Sequence, residues 1–134
     1  MHKNKIKTFR NINKYSSPFK QANIIQKKVA SIGFDYPTKE DSLKKVIEEV
    51  KELRFEIKKN NKEKIIEELG DLIFSCLDVS RKLNLNPKII LEKANKKFLK
   101  RWNKVEKLIE ENNKNIKDLN IDDFEYFWQK AKKK

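Results

Sequence analysis

Apolar residues recur along most of this chain at steps of three and four positions, which is the spacing of amphipathic helices and not the alternation of strands. One apolar stripe lies between Thr38 and Lys59 and comprises Leu43, Val46, Val50, Leu53 and Ile57. Residues 62–83 carry a wider apolar arc, formed by Ile65, Leu69, Ile73, Cys76 and Leu83 with Ile66, Leu72 and Leu77 beside them. Such a wide arc is typical of a helix that has neighbours on two sides.

Residues that cap helices separate these apolar runs. The predicted starts and ends are Ser17-Pro18, Gly33, Thr38 with Asp41, Asn60-Asn61, Asn86-Pro87, Asn112-Asn113 and Asn120. Because only a short turn joins the second and third helices, the third should return antiparallel to the second. The sequence predicts an all-α fold with four main helices in a bundle and a short C-terminal helix, in which residues 1–16 are a polar arm and residues 17–134 a single domain.

The composition favours helices and excludes several other classes of protein. With 2 glycines and 3 prolines, the chain has too few turn residues for an all-β fold. Its one cysteine, Cys76, cannot form an internal disulfide, and with His2 as the one histidine no zinc cluster exists. Cys76 lies in an apolar run and is expected to be a buried structural thiol. No apolar segment has the length of a membrane span and no signal core is visible, so we expect a cytoplasmic protein without a membrane partner.

The formal net charge is +13, but the charges are distributed unevenly. Residues 40–71 contain 10 of the 20 acidic residues and only 8 of the 33 basic ones. A locally acidic segment inside a basic molecule suits a site for a metal ion and a polyphosphate. The same segment disfavours nucleic acid as the partner, because its negative charge would repel phosphate in the absence of a metal.

Two acidic pairs stand out in this region, Glu49 with Glu52 and Glu68 with Asp71. Each pair is spaced i, i+3, which places its members about 60° apart on one side of a helix. Four facing carboxylates repel one another unless a cation compensates, and Mg²⁺ prefers such oxygen ligands. One pair alone is usual on solvated Glu/Lys helices. Two such pairs beside Gly70 are a more specific signal of a metal site. Glycine destabilises the interior of a helix, so its presence beside Asp71 suggests that a close approach to the helix matters there.

The spacing of these carboxylates resembles the E-x-x-E and E-x-x-D signature of MazG-type nucleoside triphosphate pyrophosphohydrolases. The segment EELGDLIF (67–74) matches the most recognisable part of that family. Further similar stretches are QKKVASIGFDYP (26–37), NPKIILEKANKKFLKRW (86–102) and FEYFWQKAK (124–132). The resemblance covers residues 18–132 in collinear order.

This resemblance implies an all-α enzyme that is usually a homodimer. It also implies hydrolysis of a nucleoside triphosphate between the α and β phosphates, which gives a nucleoside monophosphate and pyrophosphate. It implies Mg²⁺, with Mn²⁺ as a substitute, on the carboxylates of Glu49, Glu52, Glu68 and Asp71. The substrate-binding positions that it implies are Lys64, Lys97, Arg101, Trp128 and Lys132. One departure from the family pattern is Asp78, where relatives commonly carry Asn.

The residues themselves agree with these roles in part. Lys97 and Arg101 are spaced i, i+4 and form one basic patch that could clamp a triphosphate, although a solvated lysine face would have the same pattern. Trp128 could belong to the core or lie beside the nucleotide. Asp78 could add charge to the metal site or face solvent. Glu49 and Glu52 are the candidates for the base that takes a proton from the attacking water.

Two other classes of function remain open at this point. The net charge of +13 with interleaved Lys and Trp would also suit a basic helical nucleic-acid-binding protein, although no helix-turn-helix or zinc pattern is present. The apolar stripes would also suit a non-catalytic helical interaction module.

Overall fold

The computed structural model describes residues 8–13 and 16–133, and this part of the chain is helical with no strand. Its helices are α1 (Pro18–Ser31), α2 (Lys39–Lys59), α3 (Lys62–Lys82), α4 (Pro87–Glu111) and α5 (Ile121–Lys132), with a 3₁₀ turn at Ile116–Asp118. The predicted all-α class with four main helices and a short C-terminal helix is confirmed.

Side-chain caps fix the starts of the helices at the predicted positions. The side chains of Ser17, Thr38, Asn61 and Asn120 each accept a hydrogen bond from the backbone N–H three residues later. At α5 the cap is reciprocal, because the Asp123 side chain also accepts from the backbone N–H of Asn120. These bonds satisfy donors that the first turn of a helix leaves without an internal partner.

The ends of α1 to α4 share one C-terminal capping conformation. Each is followed by a residue with positive φ, namely Gly33 (107°), Asn60 (57°), Asn84 (58°) and Asn113 (54°). The next backbone N–H then donates to the carbonyl five residues earlier, as from Phe34 to Val29 and from Asn61 to Glu56. Asn tolerates this left-handed conformation better than most residues, so the chain needs few glycines. Asn60-Asn61 is the predicted short turn, and α3 returns antiparallel along α2.

The chain divides into two compact units, Met1–Pro87 and Lys88–Lys134. In the first unit α3 packs against α2 and α1. The buried Gln26 of α1 donates from Nε2 to the backbone carbonyl of Phe74 at 2.8 Å, which fixes α1 on α3. An ion network holds the α1–α2 connection to the end of α3, because Arg81 and Lys82 both contact the Asp35 carboxylate.

The second unit has its own apolar core between the C-terminal half of α4 and α5. Its buried members are Val105, Leu108, Ile109, Phe127 and Ala131. Trp102, Leu119, Phe124 and Trp128 pack against this core. The prediction that residues 17–134 form a single domain stays a prediction.

Much of the apolar arc of α3 is exposed in the single chain, and so is part of the α2 stripe. Ile66, Leu69 and Ile73 are exposed, and Cys76 shares their side of the helix. The expectation of a buried Cys76 is wrong for the single chain, because α1 and α2 cover other sides of α3.

Most of the predicted polar arm, residues 1–16, lies outside the described residues. Its described part contacts α1 through a hydrogen bond in which Gln21 Nε2 donates to the carbonyl of Asn13 at 2.8 Å. Among the described residues, no helix combines the length and apolar character that crossing a bilayer requires.

Candidate functional site

The α2–α3 hairpin brings acidic side chains from both helices together. One carboxylate oxygen from each of Glu49, Glu68 and Asp71 lies within 4.8 Å of the other two. The convergence follows from the two-residue turn, which sets the register so that the E-x-x-E segment of α2 faces the E-x-x-D segment of α3. We call these three residues the acidic cluster. Glu52, the fourth predicted ligand, is exposed and lies outside this group, although it is close enough to Glu68 to affect its pKa.

Glu49 is the most buried member of the acidic cluster, with 4% of its surface exposed. Its Oε1 accepts an ion-paired contact from Lys45 Nζ at 2.9 Å, one helical turn earlier. This ammonium holds the pKa of the Glu49 carboxyl below its usual value, against the opposing effect of burial. Glu49 is therefore ionised at neutral pH.

Glu68 behaves in the opposite way. Loss of solvent around the carboxyl, together with the neighbouring Glu52 and Glu49 carboxylates, raises the pKa of Glu68 to about 7. Apart from this loss of solvent, the contacts given as causes of the shift are with acidic side chains. The acidic cluster thus holds one carboxyl whose ionised form is favoured and one whose ionised form is disfavoured.

The donor set of this cluster fits a hard divalent cation. Oε2 of Glu49 and Oε2 of Glu68 are shielded from solvent, and neither has a hydrogen-bond partner within residues 8–13 and 16–133. A buried carboxylate oxygen without a partner is costly, and a bound cation would remove that cost. Carboxylate oxygens are also the ligands that Mg²⁺ and similar ions prefer.

Lys64 lies in the first turn of α3, one turn before Glu68. Its Nζ is 3.3 Å from the Glu67 carboxylate, and both side chains are mostly exposed. Glu67 raises the pKa of Lys64, so the side chain is cationic at neutral pH. Lys64 is thus a positive group at the edge of the acidic cluster.

The other predicted substrate-binding residues lie in the second unit. The Arg101 guanidinium carbon is 5.2 Å from the ring centroid of Trp128, and the Phe98 ring packs on the same indole at 5.0 Å. Trp128 is half-buried at the margin of the α4–α5 core, so it is part of the core and also a platform for Arg101. Lys97 and Lys132 are exposed on α4 and α5.

Asp78 takes neither of the two roles considered for it. Its Oδ1 accepts a hydrogen bond from Arg81 Nε at 2.7 Å, and Arg81 Nη2 donates to Asp35 Oδ1 at 2.6 Å. The side chains of Asp78 and Arg81 are 17% and 11% exposed. Asp78 is therefore a partner of Arg81 in the ion network that holds the α1–α2 connection.

Two residues of this region were missed by the sequence reasoning. Lys45 contacts Glu49, and its i, i+4 spacing to that residue was a signal that could have identified it. Glu56 lies one turn after Glu52, and its Oε2 is buried without a hydrogen-bond partner in the described part of the chain. Only the packing of α2 on α3 reveals this burial.

Gly70 does not mark a close approach within the single chain. Beyond its chain neighbours and the backbone of its own helix, a Cβ added at this position would have no described atom within 4 Å. The expectation of tight packing beside Asp71 is therefore wrong here, and the space next to this part of the acidic cluster is open.

Comparisons with known proteins agree with this arrangement. The sequence model of the MazG nucleotide pyrophosphohydrolase domain matches residues 37–111, which include both acidic pairs. A Thermotoga maritima protein named nucleoside triphosphate pyrophosphohydrolase/pyrophosphatase MazG is 36% identical over 121 residues, covering 90% of this chain and 46% of that protein. An Escherichia coli K12 nucleoside triphosphate pyrophosphohydrolase is 33% identical over 115 residues, covering 84% of this chain and 44% of that protein.

The chain spans about half the length of these two relatives. The domain match nevertheless extends over more than half of the chain and contains the α2–α3 hairpin with its acidic cluster. This chain therefore belongs to the family of the MazG nucleotide pyrophosphohydrolase domain.

Proposed function

We propose that this protein is a nucleoside triphosphate pyrophosphohydrolase that converts an NTP or dNTP into the monophosphate and pyrophosphate. The observation that carries the proposal is the acidic cluster, in which Glu49, Glu68 and Asp71 present oxygens within 4.8 Å of one another. Membership of the MazG family and the names of the two relatives support the same activity.

Mg²⁺ is the proposed cofactor, and Mn²⁺ should substitute for it because both accept carboxylate oxygens. Glu49, Glu68 and Asp71 would hold the ion, with Glu52 as the fourth candidate ligand. A bound divalent cation supplies positive charge that polarises the phosphate under attack and makes a nearby water more acidic.

Glu52 is the stronger candidate for the general base. It lies beside the acidic cluster, it is not one of the three residues whose oxygens lie within 4.8 Å of one another, and it is exposed to solvent. A base must reach a water molecule and be unprotonated near neutral pH. Glu49 meets the second condition, but its Oε1 is engaged by Lys45 and the residue is buried.

Basic residues are proposed to neutralise the phosphates of the substrate. Arg101 offers a planar fork of donors that suits phosphate oxygens, and its position on the Trp128 ring restricts its conformations. Lys97, Lys132 and Lys64 would add positive charge, and the exposed edge of Trp128 would contact the nucleotide.

A homodimer is the proposed assembly. The exposed apolar residues of α3 and α2 support it, since a second copy would remove them from water.

The direct test is an assay of pyrophosphate release from each of the common NTPs and dNTPs with Mg²⁺. Wild-type protein should release pyrophosphate, and Glu68→Gln should abolish the release because a metal ligand is lost. Glu63→Gln is the matched control, because Glu63 is an exposed residue in the first turn of the same helix. Circular dichroism should show an unchanged helical content in both variants. Absence of pyrophosphate release with every nucleotide would leave the nucleic-acid-binding and interaction-module alternatives.

A further inference from the structure

Lys45 occupies a distinctive position at the acidic cluster. Its Nζ lies 2.9 Å from Oε1 of Glu49 and 3.9 Å from Oε1 of Glu48. The Glu49 side chain is 5% exposed, whereas the Lys45 side chain is 37% exposed. The ammonium therefore reaches a buried carboxylate from the solvent side of α2, along a flexible stem that can also extend into water.

This contact supplies positive charge to a cluster that otherwise contains only acidic groups. Glu49 has Glu68 and Asp71 oxygens within 4.8 Å, so its ionised form requires a nearby cation. A divalent ion bound to the cluster would provide that charge instead. The ion and the ammonium would then repel each other if both remained in contact with the Glu49 carboxylate.

We propose that Lys45 is the internal counter-ion of the acidic cluster, which pairs with Glu49 in the metal-free protein and is displaced from Oε1 when a divalent cation binds. This inference rests on the proposed function, because it takes the acidic cluster as the metal site. It adds to that proposal a competition between Lys45 and the cation for the Glu49 carboxylate.

Two consequences follow from the competition. Lys45 weakens cation binding in the free protein, since the ion pair with Glu49 has to be given up first. Lys45 also stabilises the metal-free fold, because without it Glu49 would be a buried carboxylate next to other carboxylates. Removing the charge should therefore change metal affinity and metal-free stability in opposite directions.

The first measurement is a titration with Mn²⁺ in the absence of nucleotide, in which electron paramagnetic resonance reports the free ion. Lys45→Met should bind Mn²⁺ more tightly than wild type by about tenfold, the effect of removing one charge close to the ion. Lys45→Arg retains the charge and should bind like wild type. Lys44→Met is the matched control, because Lys44 is exposed at the neighbouring position of α2, and its affinity should be unchanged.

The second measurement compares melting temperatures of the same variants in EDTA and in saturating Mn²⁺. Lys45→Met should melt below wild type in EDTA and recover fully when Mn²⁺ is present. Equal affinity and equal melting temperatures for wild type and Lys45→Met would overturn the inference. Mn²⁺ binding that Glu68→Gln leaves unaffected would instead reject the metal site itself, so the two failures are distinguishable.

Discussion

Neighbouring carboxylates of the acidic cluster differ in their readiness to ionise, and the cause lies in their individual contacts. Glu49 and Glu68 face each other across the hairpin, yet the pKa of Glu49 is lowered and that of Glu68 is raised to about 7. Lys45 contacts Glu49 at 2.9 Å, whereas Glu68 has acidic neighbours. Two glutamates of one cluster thus differ in how readily they lose a proton near neutral pH.

The raised pKa of Glu68 predicts how the stability of the metal-free protein depends on pH. The folded state binds this proton more tightly than the unfolded chain, whose Glu has its ordinary pKa of 4.5. The free energy of unfolding should therefore fall as pH rises from about 4.5 to about 7, and level off above that range. The lowered pKa values of Glu49 and Asp35 act at more acidic pH and in the opposite direction.

Urea denaturation in EDTA between pH 5 and pH 8 checks this prediction. Glu68→Gln cannot titrate at this position, so its stability relative to wild type should increase with pH over this range. Glu63→Gln, at an exposed position of α3, serves as the control. A constant difference between wild type and Glu68→Gln at every pH would show that the Glu68 pKa is ordinary.

At the scale of elements, the capping residues and the spacing of apolar residues predict where the helices of the α2–α3 hairpin begin and end. Thr38 starts α2, Asn60 ends it in the left-handed conformation, and Asn61 starts α3. These local signals set the register, and the register brings the two acidic segments together. Elements and the approximate acidic site were therefore predictable from sequence.

Other features depend on packing that no local pattern encodes. The burial of Glu56 Oε2 and the open space beside Gly70 are set by neighbouring helices. The role of Asp78 required the long-range pair between Arg81 and Asp35, whose positions are 46 residues apart. Periodicity reports which side of a helix is apolar, but it does not report which neighbour covers that side.

The contact between α4 and α5 leads to a prediction about substrate binding. Arg101→Ala removes the guanidinium that lies on the Trp128 ring, and we expect kcat/KM for nucleotide hydrolysis to fall by about tenfold or more, or roughly 1.4 kcal/mol of transition-state binding. Arg101→Lys should recover only part of the loss, because an ammonium is a point charge without the planar fork.

Steady-state pyrophosphate release across nucleotide concentrations measures this effect. Lys100→Ala is the control, since Lys100 is the exposed neighbour of Arg101 on α4. Mn²⁺ binding without nucleotide should be the same in Arg101→Ala and wild type. Kinetics of Arg101→Ala that match wild type would remove Arg101 from the substrate-binding set and leave the acidic cluster unaffected.

At the scale of the whole molecule, the single chain buries little of its apolar surface in the first unit. Ile66, Leu69 and Ile73 of α3 are all exposed, as are Leu43, Ile47 and Val50 of α2. Both groups recur at three- and four-residue steps, so each forms a continuous stripe on its helix. A monomer in water would expose both stripes, which is unfavourable and promotes association.

This exposure predicts that the protein is a homodimer at micromolar concentration, with the α3 stripe inside the interface. Light scattering should return a mass of twice 16.1 kDa for wild type. Ile73→Lys places a charge in the middle of the stripe, so it should shift the equilibrium toward the monomer. Glu63→Lys introduces the same residue at an exposed polar position of α3 and should remain dimeric. A wild-type mass near 16.1 kDa at every concentration would contradict the dimer, and a dimeric Ile73→Lys would place its interface elsewhere.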